Sequence, residues 1–321
     1  MNKCGGVVCV LFGFLVVASA MVGLSGSTAG AWSSEDGAVA VWGGLTENDG
    51  NYAQFNNPSE YESLAVDAAG SMYLAGQFQR SVDFNASPTG ATTMTADNTA
   101  GCNAQSFVMK LDLFAEPYWA GQFGNDVSNS SCGVYPRSIA VDGNGNVYTT
   151  GTFNRGPIDF DPGAGVANLA NTYVQRQAAF VSKLNSSGEL VWAYRIGSEN
   201  VPGTLYDGGH LGEAKTYSVA ADGAGNVYVV GTFWGSTSFQ HAAGVTTLNS
   251  SRSEQSRPDT FILKLNSSGE QVWLRQIEAP TGNRVMTPLS VAVDGSGNVY
   301  SAGAVGGGAT IDFDPSEGVA N

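Results

Sequence analysis

Residues 138–153 read SIAVDGNGNVYTTGTF, and the same pattern returns three more times: SLAVDAAGSMYLAGQF at 63–78, SVAADGAGNVYVVGTF at 218–233 and SVAVDGSGNVYSAGAV at 290–305. Its aspartates, Asp67, Asp142, Asp222 and Asp294, stand 75, 80 and 72 residues apart. A second pattern falls between the copies: SFVMKLDLFAEPYW, AFVSKLNSSGELVW and TFILKLNSSGEQVW, ending at Trp119, Trp192 and Trp273. Self-similarity at a steady period marks an array of one supersecondary unit, in which each copy buries its apolar face on the next.

Within a unit the pattern reads as four strands. Residues 138–141 and 147–153 are apolar or β-branched, and the intervening DGNGN supplies a tight hairpin turn with glycine at the positive-φ position. Residues 180–184 and 189–194 form a second pair around Asn185-Ser186-Ser187-Gly188. Strands A to D are thus joined A–B and C–D by tight turns, while the B–C and D–A connections are long and variable. Both faces of the strands are largely apolar and so need cover on both sides. Radially packed blades give that cover, and the expected fold is an all-β propeller of four-stranded antiparallel blades. Gly76, Gly151, Gly231 and Gly303 recur in strand B, where a glycine marks a close backbone approach.

The expected organisation is a signal peptide at 1–20, with an alternative cleavage after 31, a linker at 21–37 and propeller repeats over 38–321. A strand D lies at 38–42, blades lie at 63–120, 138–195 and 218–276, and a partial blade lies at 290–321. The array is therefore expected to be an incomplete ring, completed by further blades from a longer chain or another subunit. The leader reading rests on Lys3, an apolar core at 7–17 and Ala18-Ser19-Ala20, a small-x-small site. It points to a secreted or cell-envelope protein, with no integral membrane span once the leader is cleaved. In that oxidising compartment Cys102 and Cys132 make an even pair and are expected to form a disulfide.

Lys and Arg number 14 against 28 Asp and Glu, a formal net charge of −14. Without a basic footprint, nucleic acid is a poor partner. The combination of DGxGNVYxxGTF, IDFDPGAG and FVxKLNSSGExVWA resembles the SBBP repeat of exported bacterial proteins. The resemblance covers about 38–321, and it implies a propeller fold, export and no common enzymatic activity.

Three features invite a chemical reading. Asp142, Asn144 and Asn146 match the start of a calcium loop, but Val147 and Phe153 stand where Gly and Glu are needed. Turn aspartates that bond their own backbone account for all four copies, at Asp67, Asp142, Asp222 and Asp294. Asp159 with Asp161, and Asp312 with Asp314, place two carboxylates on one side of an extended segment, and Asp83 keeps half of the motif. Such pairs could hold a hard cation such as Ca²⁺ through oxygen ligands, but the reading favoured is a turn that ends strand B, with Phe buried between blades and Pro stopping the ladder. The third unit has Ser238-Phe239-Gln240-His241 there instead. Lys110, Lys183 and Lys264 sit inside apolar strands, so each calls for a partner, either the strand-A Asp or a backbone carbonyl.

No cofactor is expected and no catalytic residue stands out. His210 and His241 are the only histidines, and they share no repeated context. The expected function is a non-enzymatic binding or scaffolding module, with a protein or carbohydrate ligand on the face of the long loops. A propeller-type lyase or glycosidase with carboxylates at the central channel is one alternative, and a structural spacer is the other.

Overall fold

The computed structural model describes residues 63–78, 81–84, 93–95, 105–113, 117–124, 133–154, 157–171, 177–197, 212–241, 244–251, 258–278 and 286–305. All regular elements among them are strands. Blade 1 comprises β1 (Ser63–Val66), β2 (Met72–Phe78), a short ribbon of β3 (Ser81–Asp83) and β4 (Thr93–Thr95), then β5 (Gln105–Leu111) and β6 (Pro117–Phe123). Blade 2 comprises β7 (Gly133–Val141), β8 (Val147–Asn154), the ribbon β9 (Ile158–Asp159) and β10 (Asn168–Leu169), then β11 (Gln177–Leu184) and β12 (Leu190–Ile196). Blade 3 comprises β13 (Ala214–Ala221), β14 (Val227–Phe233), the hairpin β15 (Ser236–His241) and β16 (Gly244–Asn249), then β17 (Asp259–Leu265) and β18 (Gln271–Ile277). A last pair follows, β19 (Met286–Val293) with β20 (Val299–Val305).

Sheet order is β1-β2-β5-β6 in blade 1 and β13-β14-β17-β18 in blade 3, the A-B-C-D meander read from the repeat. Blade 2 differs. Its β7-β8-β11-β12 core is extended by β15 and β16, to six strands, through a pairing of Ile196 with Phe239. The B–C connection of one blade therefore reaches back to the outer strand of the blade before it. Blade 2 does the same to blade 1 with a single bond, in which the backbone N–H of Gly124 donates to the Asp159 carbonyl at 2.8 Å.

The core lies between successive sheets. One buried cluster joins Tyr73, Ala75 and Val108 of blade 1 to Ile139, Val147 and Phe180 of blade 2, and another joins Tyr148 and Val181 to Val219 and Phe261. Within each blade three phenylalanines meet: Phe78, Phe84 and Phe107; Phe153, Phe160 and Phe180; Phe233, Phe239 and Phe261. The middle one comes from the B–C connection in every case and is essentially fully buried. Each such side chain contributes about 1.5–3 kcal/mol by leaving water, and each tilted or edge-on ring pair adds about 0.5–1.5 kcal/mol. The buried Phe after strand B, one of the two readings of the DFDP segment, is thus a plug for its blade.

Strand A carries a bulge, displaced between Pro136 and Ser138, Thr216 and Ser218, and Pro288 and Ser290. The bulge swings a strand-A carbonyl over the strand-B glycine. A Cβ on Gly151 would collide with the Tyr135 oxygen, one on Gly231 with the Lys215 oxygen, and one on Gly303 would lie 2.6 Å from the Thr287 oxygen. The strand-A serines then tie blade to blade. Ser63 Oγ accepts the N–H of Ile139 at 2.8 Å, Ser138 Oγ that of Val219 at 3.1 Å and Ser218 Oγ that of Val291 at 3.2 Å.

Candidate functional site

The four turn aspartates do one job. Oδ1 of Asp142 accepts the backbone N–H groups of Asn144 and Asn146, and Oδ2 accepts the Asn146 amide at 2.7 Å and the Tyr148 hydroxyl at 2.8 Å. Asp222 and Asp294 repeat all four bonds, and Asp67 repeats three. Burial pushes the Asp142 carboxyl up, but these bonds outweigh it and hold the group below its ordinary 3.8. Asp294, held by Asn298 first of all, falls to about 2. Tyr148 moves the other way, pushed up by burial and by the anion it serves. The tyrosine six residues after each Asp was visible in the repeat, but its role follows only from this bond.

The lysines find their partners across or beside the strand. Lys183 is buried, its Nζ donates to the Ser267 carbonyl of the next blade at 3.0 Å, and the ammonium sits 5.3 Å from the centre of the Tyr148 ring. Burial lowers its pKa, with the charge of Asp142 pulling the other way. Lys110 and Lys264 lie 5.2 Å and 5.0 Å from the Tyr73 and Tyr228 ring centres; their strand neighbours Met109, Leu111, Leu263 and Leu265 are buried as expected, while the two lysines themselves are only half-buried. Of the two partners expected, the carbonyl is the one that Lys183 touches.

Asp159 is buried, and its Oδ1 accepts the N–H groups of Asp161 at 2.9 Å and Ala167 at 2.8 Å. Asp161 in turn accepts from Gly163 at 2.8 Å, and the Gly165 backbone lies against its other oxygen. Both carboxylates therefore brace the β9–β10 ribbon. Pro162 packs on Gly121 of β6, which seats the motif on the neighbouring blade. Asp83 lies in β3, and Asp312, Asp314, Cys102, Cys132 and His210 lie outside the described residues, as do the leader and the expected strand at 38–42. His241 ends β15.

A groove of about 480 Å³ runs along β12 between blades 2 and 3. Its upper end is the β9–β10 ribbon, with Asn168 to Ala170; its lower end is the C–D turn of blade 3, at Ser268 and Gly269. Trp192, Tyr194 and Arg195 form the floor and Gln240 one wall. Arg195 is 4% exposed; its Nε donates to Gln240 Oε1 at 3.2 Å and its Nη1 to the Ala170 carbonyl at 3.1 Å. These bonds hold the guanidinium plane against both walls. The Tyr194 hydroxyl donates to Gln271 at 3.4 Å, and burial pushes its pKa up. Tyr194 and Arg195 are buried and stiffen the groove, so the half-buried Trp192 ring and the exposed Gln240 amide are what it offers a ligand for stacking and hydrogen-bonding. Sequence reasoning missed this groove, because its lining comes from four separate stretches of chain.

Residues 119–152 match the SBBP family, described as a β-propeller repeat. The span begins at Trp119 in strand D of blade 1 and ends within strand B of blade 2. Over 170 residues, 52% of this chain, the sequence is 26% identical to an uncharacterized WD repeat-containing protein of Acanthamoeba polyphaga mimivirus, of which it spans 11% of the length. Two solved structures of virginiamycin B lyase from Staphylococcus aureus are similar at low scores, and neither overlay says anything about chemistry here. The selenomethionine-substituted enzyme has 8% identity and a TM-score of 0.27, and a catalytically inactive variant with quinupristin has 9% and 0.23. Each covers 79% of this chain and 94% of the lyase chain. No helix among the described residues is long and apolar enough to cross a membrane. The blade order and the recurring Asp turns make the described residues an all-β array of propeller-type blades, of which residues 119–152 are similar to the SBBP β-propeller repeat.

Proposed function

We propose that this chain is an exported, non-enzymatic propeller module that binds a protein or carbohydrate ligand in the groove between blades 2 and 3. The observation that carries the reading is the groove itself, with Trp192, Tyr194, Arg195 and Gln240 brought together by two adjacent blades. Blades hydrogen-bonded to one another make a stiff frame, and a stiff frame lowers the ordering cost of binding. The carboxylates support the non-enzymatic part, since Asp67, Asp142, Asp159, Asp222 and Asp294 accept hydrogen bonds from their own turns. Export rests on the basic-apolar-small pattern of the first 20 residues.

Ala170→Trp tests the site. The residue is exposed at the groove mouth, so an indole there blocks entry while its carbonyl still serves Arg195. Glycan and peptide arrays probed with wild-type protein should give hits that the variant loses at unchanged melting temperature. Hits retained in full by the variant would remove the groove from consideration. Mass spectrometry of the mature N-terminus, in cells and in medium, tests export separately.

A further inference from the structure

The groove along β12 differs in charge from the chain that forms it. Asp and Glu outnumber Lys and Arg by 28 to 14, yet among the described residues no carboxylate lines the groove. Its one charged group, Arg195, is buried and lends Nε to Gln240 and Nη1 to the Ala170 carbonyl. The polar ends of its aromatic residues are in use as well. The Trp192 N–H goes to the Ser267 carbonyl at 3.1 Å, and the Tyr194 hydroxyl to Gln271, whose own amide donates to Thr246 at 3.0 Å. The groups offered at the surface are neutral: exposed Asn168, Gln240 and Ser268 around the half-buried Trp192 ring. Gln240 is oriented by its neighbour. Because its Oε1 accepts from Arg195 at 3.2 Å, the other end of the amide presents a pair of N–H donors.

We propose, taking this groove as the binding site, that its ligand is an uncharged oligosaccharide with Gln240 as the polar anchor. Charged ligands fare badly here. An anionic group would have to draw Arg195 away from the bonds that hold both walls. An ammonium would leave water for a site without a counter-charge, and burying a charge that way is costly. A peptide is read through strand pairing, an apolar trough or clustered charge. This groove instead sets Asn168 at its upper end, Ser268 at its lower end and Gln240 on one wall, with an indole between them. A sugar ring matches that layout, since its hydroxyls pair with amides and a hydroxyl while its C–H face lies on the aromatic surface. Arg195 fixes the Gln240 amide before the ligand arrives, which lowers the ordering cost of the bond. A ligand without an oxygen at that point leaves the donors unpaired, and this discriminates against it.

The test uses the full chain with neutral gluco-, manno- and galacto-oligosaccharides, an oligogalacturonate, a chitosan oligomer and a peptide array, hits being quantified by calorimetry. At least one neutral oligosaccharide should bind about tenfold or more tighter than either charged one. Its affinity should stay constant as salt rises from about 0.05 to 0.5 M, because no ion pair forms. Gln240→Leu should weaken binding about tenfold. Ser268→Ala keeps the turn bond from its backbone N–H to Asn266, so the fold is untouched, and it should weaken binding several-fold. Ala170→Trp should abolish binding. Hits that Ala170→Trp removes but that are confined to charged glycans or peptides overturn the neutral-sugar assignment and leave the groove standing. Indifference to both Gln240→Leu and Ser268→Ala, or no binding to any neutral probe, also overturns the assignment. Sugar binding that survives Ala170→Trp overturns the groove itself.

Discussion

Trp192 donates its indole N–H to the carbonyl of Ser267 at 3.1 Å across 75 residues of sequence. Trp119 makes the same bond to Ser186 at 3.0 Å. A residue on the outer strand of one blade thus reads the turn of the next, and the glycine of that turn lets the ring lie flat against it.

Gly269→Ala should be costly for two separate reasons. The residue has φ +80°, and its new Cβ would lie 2.8 Å from Trp192. A left-handed non-glycine residue costs about 1–2 kcal/mol, and crowding a packed ring adds about 1–3 kcal/mol. Denaturant melts should show a loss of about 3 kcal/mol, and no measurable loss would refute the seat described for Trp192.

Gly231→Ala separates sterics from backbone conformation. Its Cβ would strike the Lys215 carbonyl, which is fixed by the strand-A bulge. The expected loss is about 3 kcal/mol or more, as for other overpacked core sites. Gly223→Ala, with nothing within 4 Å, is the control and should change stability by less than about 0.5 kcal/mol.

Acid should unfold the protein through its turns. Asp67, Asp142 and Asp222 are all held below 3.8, and Asp294 is held to about 2. A carboxylate with a depressed folded pKa stabilises the fold above its unfolded value and loses that contribution as pH falls through the folded one. Melting temperature should therefore be flat from pH 7 to about 5 and fall between about pH 4 and 2. Asp142→Asn places an amide against the Asn146 amide and the Tyr148 hydroxyl. It should cost about 1–2 kcal/mol at pH 7 and make the acid fall shallower. An unchanged acid profile would count against the turn network.

Asp159→Ala should cost about 1–3 kcal/mol by orphaning the N–H groups of Asp161 and Ala167. Asp159→Asn keeps an acceptor oxygen and should cost less. Run with and without Ca²⁺, the same melts decide the cation reading. A rise in wild-type melting temperature on adding Ca²⁺, lost in both variants, identifies the pair as a cation site as well as a brace.

Much of the blade was legible in residue order. The apolar runs around DGNGN and NSSG determine strands A to D and their hairpins, because turn chemistry and side-chain alternation act over a few residues. The glycine of strand B announced a close approach, but its cause, a bulge at Arg137, Tyr217 and Leu289, leaves no local signature. The lysine partner stayed open between a carboxylate and a carbonyl, because the Ser267 oxygen lies 84 residues from Lys183. The reach of β15 back to β12, and the groove that Trp192, Arg195 and Gln240 line, were decided only in three dimensions. A repeat encodes what each unit is from its own residues, whereas the seam between two units depends on how rigid sheets stack, and their loops, free of the repeat, differ at every seam.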